Sequence, residues 1–175
     1  MAGGTLADCG TSLPEQDATI GDRGNPRRFH RSAEWKKVME DFFHGQLGRE
    51  NLTRALEGFA RALAIDALTY PEFVQDVIDS GRIQKFEYCT ELFWKYLRAC
   101  LVAEGLDVAN SPRATIKAAL DRGFVGEAEY QAALDLVADR NTCSHVYRQT
   151  LIPTIVARLP THCRTMQSVF DRLPR

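Results

Sequence analysis

"GRIQKFEYCTELFWKYLRACLVAEG", residues 81–105, sets Ile83, Phe86, Thr90, Phe93, Leu97 and Cys100 at alternating steps of three and four. That alternation is the seam expected of a helix packing nearly parallel to its neighbours in a bundle. Gly105 follows as the residue that lets the chain turn out of the helix. Upstream, "ENLTRALEGFARALAIDAL", residues 50–68, repeats Leu52, Leu56, Phe59 and Leu63, with Ala67 one turn further. The spacing predicts a second helix, stopped at "TYPE" because Pro71 disfavours helical geometry at Tyr70. Further upstream, Ser32 caps a predicted helix over "AEWKKVMEDFFHGQ", with Trp35, Val38, Met39 and Phe42 on one face.

Downstream the same grammar continues. Asn110 or Ser111 serves as N-cap, Pro112 sits in the first turn, and Gly123 ends a helix of about three turns. "EAEYQAALDLVADR", residues 127–140, and roughly "VYRQTLIPTIVARL", residues 146–159, complete the set, with Pro153 tolerated near a helix start or as a kink. No run alternates as a strand would. The expected fold is all-α: an up-and-down, four-helix-type bundle with an extra N-terminal helix.

Residues 1–31 hold five of the twelve glycines, two prolines and few large apolar side chains. So little burial cannot offset the entropy of ordering them, and they read as a flexible tail before a single domain over residues 32–175. The tail ends in the locally basic "NPRRFHR". At 175 residues, 45% hydrophobic and 26% charged, the chain can build one substantial core.

The formal net charge of −1 gives no global signature of nucleic-acid binding, so a phosphate site must come from local charge. From Arg140 onward there are six arginines against one acid, Asp171, which makes that end positive. Five cysteines (9, 89, 100, 143 and 163) fall at no metal-ligand spacing, and their odd count argues against a disulfide framework. A reduced, cytoplasmic setting is expected. No apolar run is long enough to cross a bilayer, and the N-terminus lacks a signal-peptide layout. His30, His44 and His162 have no ligand partners at recognisable spacing, so neither a metal nor another cofactor is expected.

"DRNTCSHVY", residues 139–147, interrupts the helical grammar. Asn141, Thr142, Cys143 and Ser144 are mediocre helix formers between an arginine and a histidine. On a continuous helix Arg140, Ser144 and Tyr147 share a face, whereas His145 falls roughly 140° away from Arg140. Bringing Arg140 and His145 to one site therefore requires a break between them, with Thr142 or Ser144 capping the next helix. A helix-loop-helix corner is the expectation.

"RNTCSH" resembles the R-x4-H pattern of the HEPN superfamily, small helical bundles many of which are metal-independent ribonucleases. "RNTCSHVY" extends the likeness to the R-x4-H-x-Y form of HEPN toxins. Together with "GRIQKFEYCTELFWKYLRACLVAEG" and "SPRATIKAALDRGFV", it is similar in order and spacing to the nucleotidyltransferase substrate-binding branch, over about Glu50 to Leu173. The resemblance implies a toxin-antitoxin-like pairing with a minimal nucleotidyltransferase, a homodimer in which two motifs face one another, and a tyrosine that accepts AMP. Residues before 49 have no counterpart in it.

The residues suit that chemistry. Metal-free RNA cleavage needs a base for the 2'-OH proton, an acid for the leaving 5'-oxygen and a cation for the phosphorane. His145 could be base or acid, and Arg140 offers a permanent forked donor. The second proton-transfer group would come from a symmetry mate. Asn141, Ser144 and Arg148 are candidate substrate contacts, although Asn141 is better suited to hydrogen-bonding the backbone of the corner, as asparagine commonly does in turns. Tyr147 is either a packing residue with a wet hydroxyl or the acceptor of a nucleotide, whose added anion would occupy the cation and repel RNA. Glu87, Glu91 and Lys95 read as a ladder of surface ion pairs. The chain has no Asp-x-Asp and no Gly-Ser loop before such a pair, so it is not itself the transferase. The alternative is a non-catalytic subunit that presents substrate to that enzyme.

Overall fold

The computed structural model describes residues 45–145 and 151–174, and among them there are helices and no strands. The predicted tail, nearly all of the predicted first helix, and the motif residues Tyr147 and Arg148 lie outside the described residues. Five helices follow one another: α1 (Gly45–Leu63), α2 (Glu72–Ala103), α3 (Pro112–Arg122), α4 (Glu127–His145) and α5 (Ile152–Arg172), with a 3-10 turn at Ala67–Thr69 between the first two. Successive helices pack on one another, α5 returns onto α1, and α2 touches all four others. The chain is an all-α helical bundle.

That central place explains why α2 is buried on more than the predicted seam. Phe86, Thr90, Phe93 and Leu97 are buried as expected, but so are Leu92, Trp94, Tyr96, Ala99 and Leu101. A helix with neighbours on several sides buries more than one face, so periodicity shows only one of them. Phe59, Phe86 and Phe93 are fully buried, each worth roughly 1.5–3 kcal/mol of transfer free energy. The Thr90 hydroxyl, also buried, donates to the Phe86 carbonyl at 2.8 Å.

The boundaries correct three expectations. α1 ends at Leu63, five residues before the predicted limit, and the Arg82 guanidinium explains the stop. Arg82 Nε donates to the Ala62 carbonyl at 3.1 Å and Nη2 to the Ile65 carbonyl at 2.6 Å, while Asp79 holds Nη1 at 2.8 Å. A cation satisfying the last carbonyls of a helix competes with its continuation. Tyr70 is extended, as Pro71 demands, but α2 then starts at Glu72 rather than Gly81. Pro71 disfavours helix only behind it, and nothing ahead opposes one. These early turns are thinly covered, leaving Phe73 and Val77 exposed beside Leu68 and Tyr70. Finally, α5 begins at Ile152 and runs to Arg172, past the predicted end at 159. Pro153 lies in its first turn as expected, while Pro160 is accommodated inside.

The α3 caps follow the sequence. Ser111 Oγ accepts from the Ala114 N–H at 3.3 Å, and Gly123 adopts φ +82°, which only glycine takes without strain. The Phe124 N–H then reaches the Ala119 carbonyl at 2.8 Å. Gly105, at φ +85°, ends α2 similarly, with the Leu106 N–H bonded to the Leu101 carbonyl at 3.2 Å.

Glu129 ties α4 to α5. Its carboxylate accepts from the Gly126 N–H at 3.1 Å and from Ser168 Oγ at 2.7 Å, and it pairs with Arg172. The Arg172 hydrogen bond, reinforced by the other two, holds its carboxyl below the usual carboxylate range. A depressed folded-state value stabilises the protein above the unfolded value and loses that stabilisation as pH falls through the folded one. Glu129→Gln should therefore cost about 1 kcal/mol at pH 7, and its gap from wild type should close on acidification below about pH 4. Urea unfolding at pH 7 and pH 3 checks this; a gap that widens in acid would contradict it.

Candidate functional site

The end of α4 stays helical because its poor helix formers find local partners. Thr142 Oγ1 donates to the Ala138 carbonyl one turn back at 3.0 Å, which makes a mid-helix threonine tolerable. Cys143 is half-buried and packs against the core. Burial above all, with Glu87 and Asp139 adding, pushes its thiol up to about 11, so it is a poor nucleophile.

Helix α4 continues through His145. The expected break between Arg140 and His145 is therefore absent, and helical register sets the two positions about 140° apart. Within one chain, α4 does not bring them to a common face. The start of the next predicted helix, at Val146, lies outside the described residues. Ser144 follows the helical backbone one turn after Arg140.

Arg140 shares the inner side of α4 with Leu136 and Ala133, both fully buried, and crosses to α2. Its Nη2 pairs with Glu91 Oε1 at 2.7 Å. Glu91 also accepts from Trp94 Nε1 at 3.1 Å and pairs with Lys95 Nζ at 3.4 Å. The predicted Glu91–Lys95 rung is thus present, but its carboxylate mainly fixes the motif arginine. Two cations flank that carboxylate while the acidic Glu87 lies close by, and the ion pair holds the guanidinium in place. Asn141 is exposed, and its Oδ1 accepts from Arg140 Nη1 at a long 3.4 Å. It braces no turn, because there is none at that position.

The neighbouring residue supplies a cluster that sequence reasoning missed. Asp139 is 6% exposed and receives Arg158 Nη2 at 2.6 Å and His162 Nε2 at 2.7 Å, both from α5. His162 is buried and stacks on Phe86, ring centroids 5.2 Å apart and 16° from parallel. Sequence spacing weighs His162 only as a metal ligand. The available signal was an aspartate on an apolar helix face, which demands a partner when buried. The cluster anchors α4 to α5 one residue before Arg140, so the position of the motif arginine is braced from both sides.

Among the described residues no group of histidine, cysteine or acidic side chains could hold a metal, and Cys89, Cys100, Cys143 and Cys163 carry free thiols. No described helix is long and apolar enough to cross a membrane.

Comparison with known proteins bears on this arrangement. The crystal structure of ttk003001694 from Thermus thermophilus is similar, with a TM-score of 0.61 and 35% sequence identity over 71% of this chain and 99% of that one. No curated protein matches. A family model described as nucleotidyltransferase substrate binding protein like matches residues 48–175, which takes in all of the described helices except the first turn of α1. With the bundle, the span and the relative in agreement, the chain belongs to the nucleotidyltransferase substrate binding protein-like family.

Proposed function

We propose that this protein is the partner of a separate minimal nucleotidyltransferase and, as a homodimer, a metal-independent HEPN-type ribonuclease of a toxin-antitoxin-like pair. The observation that carries the reading is the guanidinium of Arg140, fixed by Glu91 on the inner side of α4, five residues before His145. Arg140 binds the scissile phosphate and stabilises the phosphorane. One histidine removes the 2'-OH proton as that oxygen attacks phosphorus; the P–O5' bond breaks, and a protonated group returns a proton to O5'. The products are a 2',3'-cyclic phosphate and a 5'-OH. Because His145 and Arg140 diverge on α4, the groups that complete the site come from the second copy. Asn141, Ser144 and Arg148 contact the RNA, and nucleotidylation of Tyr147 switches the site off by placing an anion beside Arg140. Residues 32–175 form the functional domain, in a cytoplasmic setting.

The same divergence favours a second reading, a non-catalytic subunit that presents substrate to the nucleotidyltransferase. Incubating RNA in excess EDTA with wild type, Arg140→Ala and His145→Ala separates the two. Cleavage by wild type alone, with cyclic phosphate ends and a loss of at least about 100-fold in each variant, is expected. Equal, background-level products from all three, with folded dimers lacking Tyr147 modification, would assign the binding-subunit role instead.

A further inference from the structure

Away from the α4 motif, α1 and α2 enclose a groove of about 290 Å³ lined by Asn51, Arg54, Gly58, Lys85, Tyr88 and Cys89. Its chemistry is that of an anion site with an aromatic wall. Gly58 forms part of the floor, with Lys85 Nζ 3.7 Å from where a Cβ would stand, an ordinary contact distance, and Arg61, which pairs with Glu57, just outside the lining. Arg54 adds a second lining cation, its Nη2 donating to Asn51 Oδ1 at 2.8 Å. That bond fixes the amide orientation and leaves Asn51 Nδ2 as a buried donor with no acceptor. A buried donor without an acceptor is costly, and because Nδ2 is closed to solvent a ligand oxygen meets it only once the Asn51 or Arg54 side chain shifts. Tyr88 is 57% exposed on the rim, an aromatic surface of the kind on which bases stack. The Cys89 thiol, pushed up to about 12 by burial, stays neutral and adds no competing charge.

We infer that the α1–α2 groove binds one nucleotide unit, its phosphate held by Lys85 and Arg54 beside Gly58 and its base stacked on Tyr88. The volume sits at the small end of ligand pockets, which span about 300–1,000 Å³, and so fits a single nucleotide rather than a length of strand. Tyr88 lies one helical turn before Glu91, so the rim of the groove and the carboxylate that fixes Arg140 are neighbours along α2. The site does not depend on the ribonuclease reading, because none of its residues belongs to the α4 motif.

Calorimetric titration of the full-length protein at low salt tests it with two probes, AMP and a non-cleavable 2'-O-methyl hexanucleotide. Lys85→Glu and Tyr88→Ala, both at positions open to solvent, should each weaken binding roughly tenfold, while Lys117→Ala, at an exposed position on α3, leaves it within twofold. AMP binding that Lys85→Glu and Tyr88→Ala weaken identifies free nucleotide as the source; hexanucleotide binding alone, weakened by the same two variants, identifies an RNA strand. No binding of either probe overturns the site, as does binding that Arg140→Ala abolishes and Lys85→Glu spares. Cleavage is impossible with these probes, so failure of the ribonuclease leaves the result unaffected.

Discussion

Asp139→Ala is expected to cost the fold about 2–4 kcal/mol and lower its melting temperature by roughly 5–15 °C. The carboxylate is almost wholly buried and accepts one charge-assisted bond from Arg158 and one bond from the buried His162. Removing it leaves two partners facing a hole. Arg158, whose side chain is half exposed, can turn to water, but His162 cannot, since only 4% of its side chain is accessible. His162 Nδ1 already has no partner, so the truncation strands both ring nitrogens. Asp139→Asn should fall between, because it keeps an acceptor and loses the charge. Thermal unfolding of both variants measures the effect. A loss under about 1 kcal/mol for the alanine variant would show that α5 repacks and that the cluster is no anchor.

Phe86→Ala should be costlier still, about 3–5 kcal/mol. The ring is fully buried, lies 6.2 Å from Phe59 of α1 and stacks on His162 of α5, so one side chain joins three helices. Its loss opens a cavity on the central helix, where collapse would have to move α1 and α5 together. Phe86→Leu, which refills much of the volume, should recover more than half of the difference by urea unfolding. Equal losses for both would mean that aromatic stacking on His162, rather than volume, carries the stabilisation.

Sequence reasoning resolves what depends on local chemistry. Ser111, Pro112, Gly105 and Gly123 act where their own backbone preferences place them, and Leu52, Leu56 and Phe59 of α1 are buried because a helix with one covered face shows its period. It fails where tertiary contacts decide. The early stop of α1 needs Arg82, nineteen residues beyond Leu63, and the early start of α2 needs only that nothing after Pro71 forbids a helix. In the motif, weak intrinsic propensity at residues 141–144 suggests a break, yet back-bonding from Thr142 and burial of Cys143 keep α4 helical. Glu91 is legible as an ion-pair residue, but its principal partner, forty-nine positions away, is not. The Asp139–His162 pair is hidden for the same reason: a heptad pattern records which positions face inward, not which polar groups meet there.

Where the bundle closes, Arg49 Nη1 near the start of α1 donates to the carbonyls of Leu173 and Pro174, at 3.2 and 3.0 Å, and its guanidinium lies 4.5 Å above the Phe170 ring. The first and last described turns therefore share a seam, so that among the described residues the two ends of the bundle meet. Joining these ends through a short linker and opening the chain at another surface connection would preserve every described helix pair while changing only loop-closure entropy. In that sense the fold is a circular module, indifferent to where translation enters it.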